Sequence, residues 1–284
     1  MSEQSIQRPQ YVEVYGADHS PWVQAVLLGL HEAGIRHDLR TTPTRDVFIA
    51  RGVRMPAASI DGGPWKFEST DILADLGFDG ISDSKRRLVV RSWQGVTHRP
   101  DSAAMFWGGF SLTGDRHKSA PRRFVRNFLR SFVTLYMYLL IKTVNRLGYM
   151  PDAEDYGGQY LPIEGMLERS DGPFVAGKAP DTIDFLLFGI VQCHCSIYVP
   201  PVAALQADPR LVRVRAWIGA MQERFSDYPH LYSGLYFAPH SPPPVWPAPV
   251  DRIAFWLGSL FMIGLFPITV PLIAFLAVRE RRVS

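Results

Sequence analysis

Cysteine is nearly absent. Two occur in 284 residues, Cys193 and Cys195, too few and too close for a disulfide framework, so a reducing compartment is expected. None lies before residue 193, which excludes Cys-x-x-Cys or single-Cys redox chemistry from the N-terminal region. Excess charge is scarce as well. A net charge of +3 gives nucleic acid binding no support from bulk electrostatics. The opening stretch MSEQSIQRPQYVEVY has no apolar core of signal-peptide length, so the body is expected to be cytoplasmic.

Charge is missing altogether from Ile253 to Val278, IAFWLGSLFMIGLFPITVPLIAFLAV. At about 26 residues this run exceeds the ~20 needed to cross a hydrocarbon core. Arg252 flanks it on one side, Arg279, Arg281 and Arg282 on the other, and Trp256 sits where an interfacial aromatic would. One transmembrane helix over 253–278 is expected, a single-pass C-terminal anchor. Pro267 and Pro271 predict a kink, or a re-entrant bend as the alternative. The trailing arginines favour a cytoplasmic C-terminus, in conflict with a cytoplasmic body; a kinked single span is the favoured resolution. The preceding FAPHSPPPVWPAPVDR reads as a semi-rigid, proline-rich tether over 237–252, so the soluble body is expected to end near Tyr236.

Within that body, YVEVYG alternates as a strand and PWVQAVLLGLHEAG follows as a helix, with Pro21 in its first turn and Gly34 at its stop. RHDLRTT is a second strand, RDVFIARG a short helix, AASID and WKFE a hairpin, and STDILADLG a helix. That order, βαβαββα, makes a small α/β unit. The remainder is helical. KRRLVVRSWQGVTHR, PRRFVRNFLRSFVTLYMYLLIKTVNRLGY, APDTIDFLLFGIVQCHCSIYV and PRLVRVRAWIGAMQERF are its clearest stretches. Asp181 and Asp184 form a carboxylate variant of the capping box.

Three of these stretches, in order, resemble the cytosolic-type glutathione transferases. YGADHSPWVQAVLLGLHEAGI is similar to their first strand, turn and helix. VRMPAASIDGGPWKFESTDIL resembles their proline, hairpin and Glu-Ser signature, and GPFVAGKAPDTIDFLLFG their capping-box helix. The resemblance implies a thioredoxin-like glutathione-binding domain over 10–81 and an all-helical domain over 84–236. It implies glutathione as co-substrate, with no metal.

By the resemblance, Ser20 takes the position whose hydroxyl donates to the glutathione thiolate, with the helix dipole assisting. A plain helix cap uses the same geometry and stays open as the other reading. Tyr15 is the rival hydroxyl. Met55, before Pro56, would offer its backbone to the cysteinyl moiety across a cis peptide, while an ordinary trans proline is the bland alternative. Glu68 would pair with the γ-glutamyl ammonium and Ser69 with its carboxylate. Arg51, Arg54 and Lys66 are candidates for the glycyl carboxylate.

Other features keep two readings. Cys193, His194 and Cys195 look like metal ligands, yet residues two apart on a helix diverge, so buried structural cysteines are expected. The basic run RHKSAPRRFVRNFLR is either a solvated helix start or a contact for anionic lipid. Trp93, Phe106, Trp107 and Phe110 either wall an acceptor pocket or pack the core. The function implied is a membrane-anchored glutathione transferase acting on an apolar electrophile or peroxide. The alternative is a non-catalytic accessory subunit of a larger membrane complex. Partners would be the bilayer and either that complex or a second copy, with no nucleic acid.

Overall fold

The computed structural model describes residues 9–113, 119–145, 155–232 and 248–281. In chain order the elements are β1 (Tyr11–Tyr15), α1 (Pro21–Glu32), β2 (Arg36–Arg40), α2 (Arg45–Arg51), β3 (Ala57–Ile60), β4 (Trp65–Lys66) and α3 (Ser69–Asp75). Eight helices follow among the described residues: α4 (Asp83–Thr97), α5 (Ala103–Thr113), α6 (Ala120–Asn145), α7 (Leu161–Glu168), α8 (Thr182–His194), α9 (Pro200–Ala207), α10 (Val212–Arg224) and α11 (Pro249–Arg281). They form two compact units, Met1–Val96 with Glu154–Pro242, and Thr97–Ala153 with Pro243–Ser284. The helices of 84–236 are therefore divided between both units. Residues 237–247 of the tether lie outside the described residues.

The first unit holds a four-stranded sheet in the order β2-β1-β3-β4, with β1 parallel to β2 and antiparallel to β3. This mixed sheet fits the thioredoxin-like arrangement that the resemblance implies, where the element order alone gave only a small α/β unit. Val12 and Val14 of β1 are fully buried, the inward half of a period-two pattern. α1 ends as its glycine predicts: Gly34 takes φ +65°, and the Ile35 N–H reaches back to the Leu30 carbonyl at 2.9 Å.

α1 is buried without a break from Val23 to Leu30, because α8 covers it. Gly189 of α8 makes that approach feasible; a Cβ there would lie 2.5 Å from the Pro21 carbonyl oxygen. α8 is itself buried along its whole length. The Asp181–Asp184 capping box forms, and Asp184 does more than cap. It accepts from the Val175, Ala176 and Asp181 amides at 2.7, 3.0 and 3.3 Å and from Trp217 Nε1 at 2.8 Å. Gln24, buried in α1, pins the end of this unit by donating to the His230 carbonyl and accepting from the Tyr232 amide.

Cys193 and Cys195 are buried and unbridged. His194 between them stacks on Trp93, with centroids 5.4 Å apart. Burial holds its pKa down at about 3. Protonation in the unfolded chain begins near the ordinary imidazole value of about 6.5, so stability is intact above that pH and falls as pH drops below it. At pH 5 this one ring should cost about 2 kcal/mol relative to pH 7.5. Urea unfolding at the two pH values measures it, and His194→Gln should flatten the difference.

The second unit is a bundle of α5, α6 and α11. Asn127 Nδ2 donates to Asp251 Oδ1 at 2.8 Å, Phe128 meets Phe261 with centroids 5.5 Å apart, and Gly258 lies against Phe128 and Ser131. Partner numbers rise together along both helices, so α6 and α11 run parallel. α11 is one continuous helix containing both Pro267 and Pro271, about 50 Å long, not a hairpin. Its stretch Pro249–Thr269 is long and apolar enough to cross a membrane, at mean hydropathy 1.5, and only 22% of its most apolar window is buried. The expectation of an anchor set apart by the tether meets a different arrangement, with α11 packed along α6.

Candidate functional site

The site starts in the turn after β1. Gly16 backs directly onto Val23 and Met55, so the turn lies close against the strand entrance. The Ala17 amide donates to Met55 Sδ at 3.4 Å. Asp18 is held below the usual carboxylate range by its hydrogen bond with His19. Ser20 then occupies the N-cap of α1, its carbonyl accepting from the Gln24 amide at 2.8 Å. Its side chain makes no capping hydrogen bond. The hydroxyl is not spent on the cap, which Pro21 in the first turn renders partly redundant.

Opposite this turn, sheet pairing begins at Tyr15↔Ala57. Met55 therefore stands off the ladder, and the Met55–Pro56 peptide is cis. Beside it opens a cavity of about 380 Å³, within the range of small-ligand sites. Met55, Pro56, Glu68, Ser69 and Arg54 all line it. Residues chosen from separate stretches of sequence thus meet in one place.

The other candidates lie elsewhere. Lys66 is engaged with Asp75 and faces a shallower adjoining depression with Arg51 and Glu68. Tyr15 is core, packed with Val47 and Ala57. Its hydroxyl donates to the Val53 carbonyl at 3.4 Å, and burial pushes its pKa up. Ser20 is not among the lining residues. Trp22, two positions on, is.

Sequence reasoning missed Trp22, Arg86, Val89, Val90 and Leu186 in this lining. The signal for α4 was present: 86, 89 and 90 share one helix face. Trp22 meets Trp93 edge-on at 6.3 Å, so Trp93 supports the wall from behind. Phe106, Trp107 and Phe110 pack on one another within the second unit.

Arg51, Arg54 and Arg86 give the cavity three positive charges against the one negative charge of Glu68. Arg51 lies over the Phe67 ring at 5.3 Å and 3.7 Å from Glu68, so its guanidinium is oriented from two sides. Guanidinium forks suit carboxylates, and the single Glu68 offers a site for an ammonium. The arrangement fits an extended zwitterion with net negative charge. Among the described residues no group of three or more His, Cys, Asp or Glu is placed to hold a metal ion.

No protein-family model and no curated protein matches the chain. Solved structures similar to it include the theta class glutathione S-transferase from the citrus canker pathogen Xanthomonas axonopodis pv. citri with glutathione bound. It is 18% identical, with 78% of this chain and 95% of that one covered and a TM-score of 0.40. Bombyx mori glutathione transferase BmGSTD1 is 14% identical, with 88% and 100% covered and a TM-score of 0.44. A glutathione S-transferase from Pseudomonas fluorescens is 15% identical, with 77% and 96% covered and a TM-score of 0.41.

Proposed function

We propose that the protein is a membrane-anchored, glutathione-transferase-like protein whose first unit binds glutathione. The observation that carries this is the meeting of Met55, Arg54, Glu68 and Ser69 in a single cavity of net positive charge. Each end of glutathione then has a partner. Its γ-glutamyl ammonium meets Glu68 and the neighbouring carboxylate meets the Ser69 hydroxyl. The cysteinyl backbone lies along Met55, off the sheet ladder, and the glycyl carboxylate meets Arg54, with Arg51 and Arg86 near. α11 serves as the bilayer anchor, the body facing the cytoplasm.

The cysteinyl sulfur of a peptide so placed points toward the start of α1. There the Ser20 hydroxyl, unused by the cap, donates to the thiolate, and the positive end of the helix dipole adds to it. The thiolate then forms a C–S bond to an apolar electrophile held against Trp22, Val89 and Leu186, and the displaced leaving group departs to solvent as an anion.

One observation favours a second reading, an accessory subunit that binds the peptide without activating it: Ser20 does not line the cavity. Two variants separate the readings. Glu68→Gln should weaken retention on immobilised glutathione by roughly 10-fold or more, the scale of a lost charge-assisted hydrogen bond. Retention equal to wild type sinks the glutathione site. Ser20→Ala should keep retention while lowering turnover of an electrophilic acceptor by roughly 10–10²-fold and raising the pKa of the bound thiol. Retention with no turnover in the unmodified protein selects the accessory subunit.

A further inference from the structure

Beside its buried aromatics, the second unit encloses a polar seam and leaves apolar side chains exposed. A helix bundle in water turns its apolar stripe inward. Here Ser111, Asn127, Ser131, Thr134 and Ser259 are buried, while Val125, Leu129 and Val133 of α6 stand 54%, 56% and 48% exposed. On α11, Trp256, Leu260, Ile263 and Ile268 are each more than half exposed.

Four of these five inward side chains are hydrogen-bonded, Ser259 being the exception among the described residues. Ser111 Oγ donates to Ser131 Oγ at 3.0 Å, Ser131 Oγ to the Asn127 carbonyl at 2.8 Å, and Asn127 Nδ2 to Asp251. Gly258 lets the two backbones close up; a Cβ there would sit 2.5 Å from the Phe128 carbonyl oxygen. Small residues and interhelical hydrogen bonds inside, with apolar side chains outside, are how helices associate in lipid.

Charge supplies the rest. Val125, Leu129 and Val133 recur every four residues on one face of α6. Arg122 and Arg126 are exposed beside them. The parallel pairing brings exposed Arg252 of α11 to the same end, where Arg123 Nε lies 3.7 Å from Asp251. A cationic end followed by an apolar face matches an anionic lipid leaflet in depth order, since arginine stems reach along apolar surface to phosphate.

We propose that α6 is seated in an anionic bilayer beside α11, its arginines at the lipid phosphates and Leu129 and Val133 among the acyl chains. The uncharged run from Ser131 to Ile141 gives α6 about 16 Å, a single leaflet. Lys142 ends it, its ammonium 5.8 Å from the Tyr138 ring. This rests on the reading of α11 as an anchor.

Nitroxide labels on the full-length protein, in vesicles of phosphatidylcholine and phosphatidylglycerol, test it. Leu129→Cys, Val133→Cys, Leu260→Cys and Ile49→Cys are each labelled singly, Cys193 and Cys195 being buried. Ile49 in α2, 67% exposed, is the aqueous reference and should relax with a nickel chelate. The labels at 129, 133 and 260 should relax with oxygen and not with nickel. Nickel access at 129 and 133 with oxygen access at 260 overturns the seating of α6 and leaves the anchor standing. Shielding of 129 and 133 from both reagents does the same, by assigning that face to protein contact. Nickel access at 260, or shielding there from both, overturns the anchor and the proposal with it. Val125→Cys serves should either α6 variant fail to express. Omitting phosphatidylglycerol should raise nickel access at 129 roughly fivefold; no change overturns the phosphate-level placement of the arginines.

Discussion

Asp184→Ala is expected to abolish folding of the first unit. The carboxylate is wholly buried and receives four hydrogen bonds, three from backbone amides and one from the Trp217 indole. Removing it leaves those donors dry and unpaired, at about 1–3 kcal/mol each. Even the low end of that range approaches the ~5–15 kcal/mol that keeps a domain folded. Burial outweighs the donors and leaves the Asp184 pKa above the ordinary carboxylate value, so part of the loss is offset by relief of its own desolvation. Asp184→Asn keeps one acceptor oxygen and should fall between. Urea titration followed by circular dichroism is the measurement. A loss under ~1 kcal/mol for the alanine variant would mean the donors find other partners.

A chain ended at Tyr236 should leave solution. Its sequence suggests the reverse, since a proline-rich tether normally marks a boundary that few contacts cross. But the truncation strips α11 from α6. Asn127 loses Asp251, Phe128 loses Phe261, and the seam at Ser131 opens, while Val125, Leu129 and Val133 were exposed beforehand. An uncovered face of this kind is an aggregation site in water. The truncated protein should sediment with membranes or elute as large species on gel filtration. A monodisperse monomer of the expected size would show that α5 and α6 find other cover.

The α/β part was legible almost to the residue. Strand alternation at YVEVY, Pro21 and Gly34 bracketing α1, and the GGP turn are all local signals, and local hydrogen bonding realises them. α5 was missed because AAMFWGGFSLT has no polar face and carries two adjacent glycines, so periodicity has nothing to register. α7 and α9 are eight residues each, too short to show a period. At the site, Met55, Glu68 and Ser69 could be found because a motif marks them. Trp22, Arg86 and Leu186 reach the cavity only through the packing of α1, α4 and α8, a tertiary fact with no local sign. The α6–α11 pairing was hidden for the same reason. Its polar seam is scattered as Ser111, Asn127, Ser131 and Asp251 through stretches that each read as ordinary helix.

The parallel pairing of α6 and α11 also orders events during synthesis. Asn127 and its partner Asp251 are separated by 124 residues, about 6–25 s of elongation at ~5–20 residues per second. From Asn145 onward α6 is complete, and its seam lacks α11. Meanwhile the closing half of the first unit is still being made. A nascent chain in this state presents arginines and an apolar face before its membrane helix has left the ribosome. The order in which lipid, chaperone and α11 reach that face then decides whether the bundle assembles.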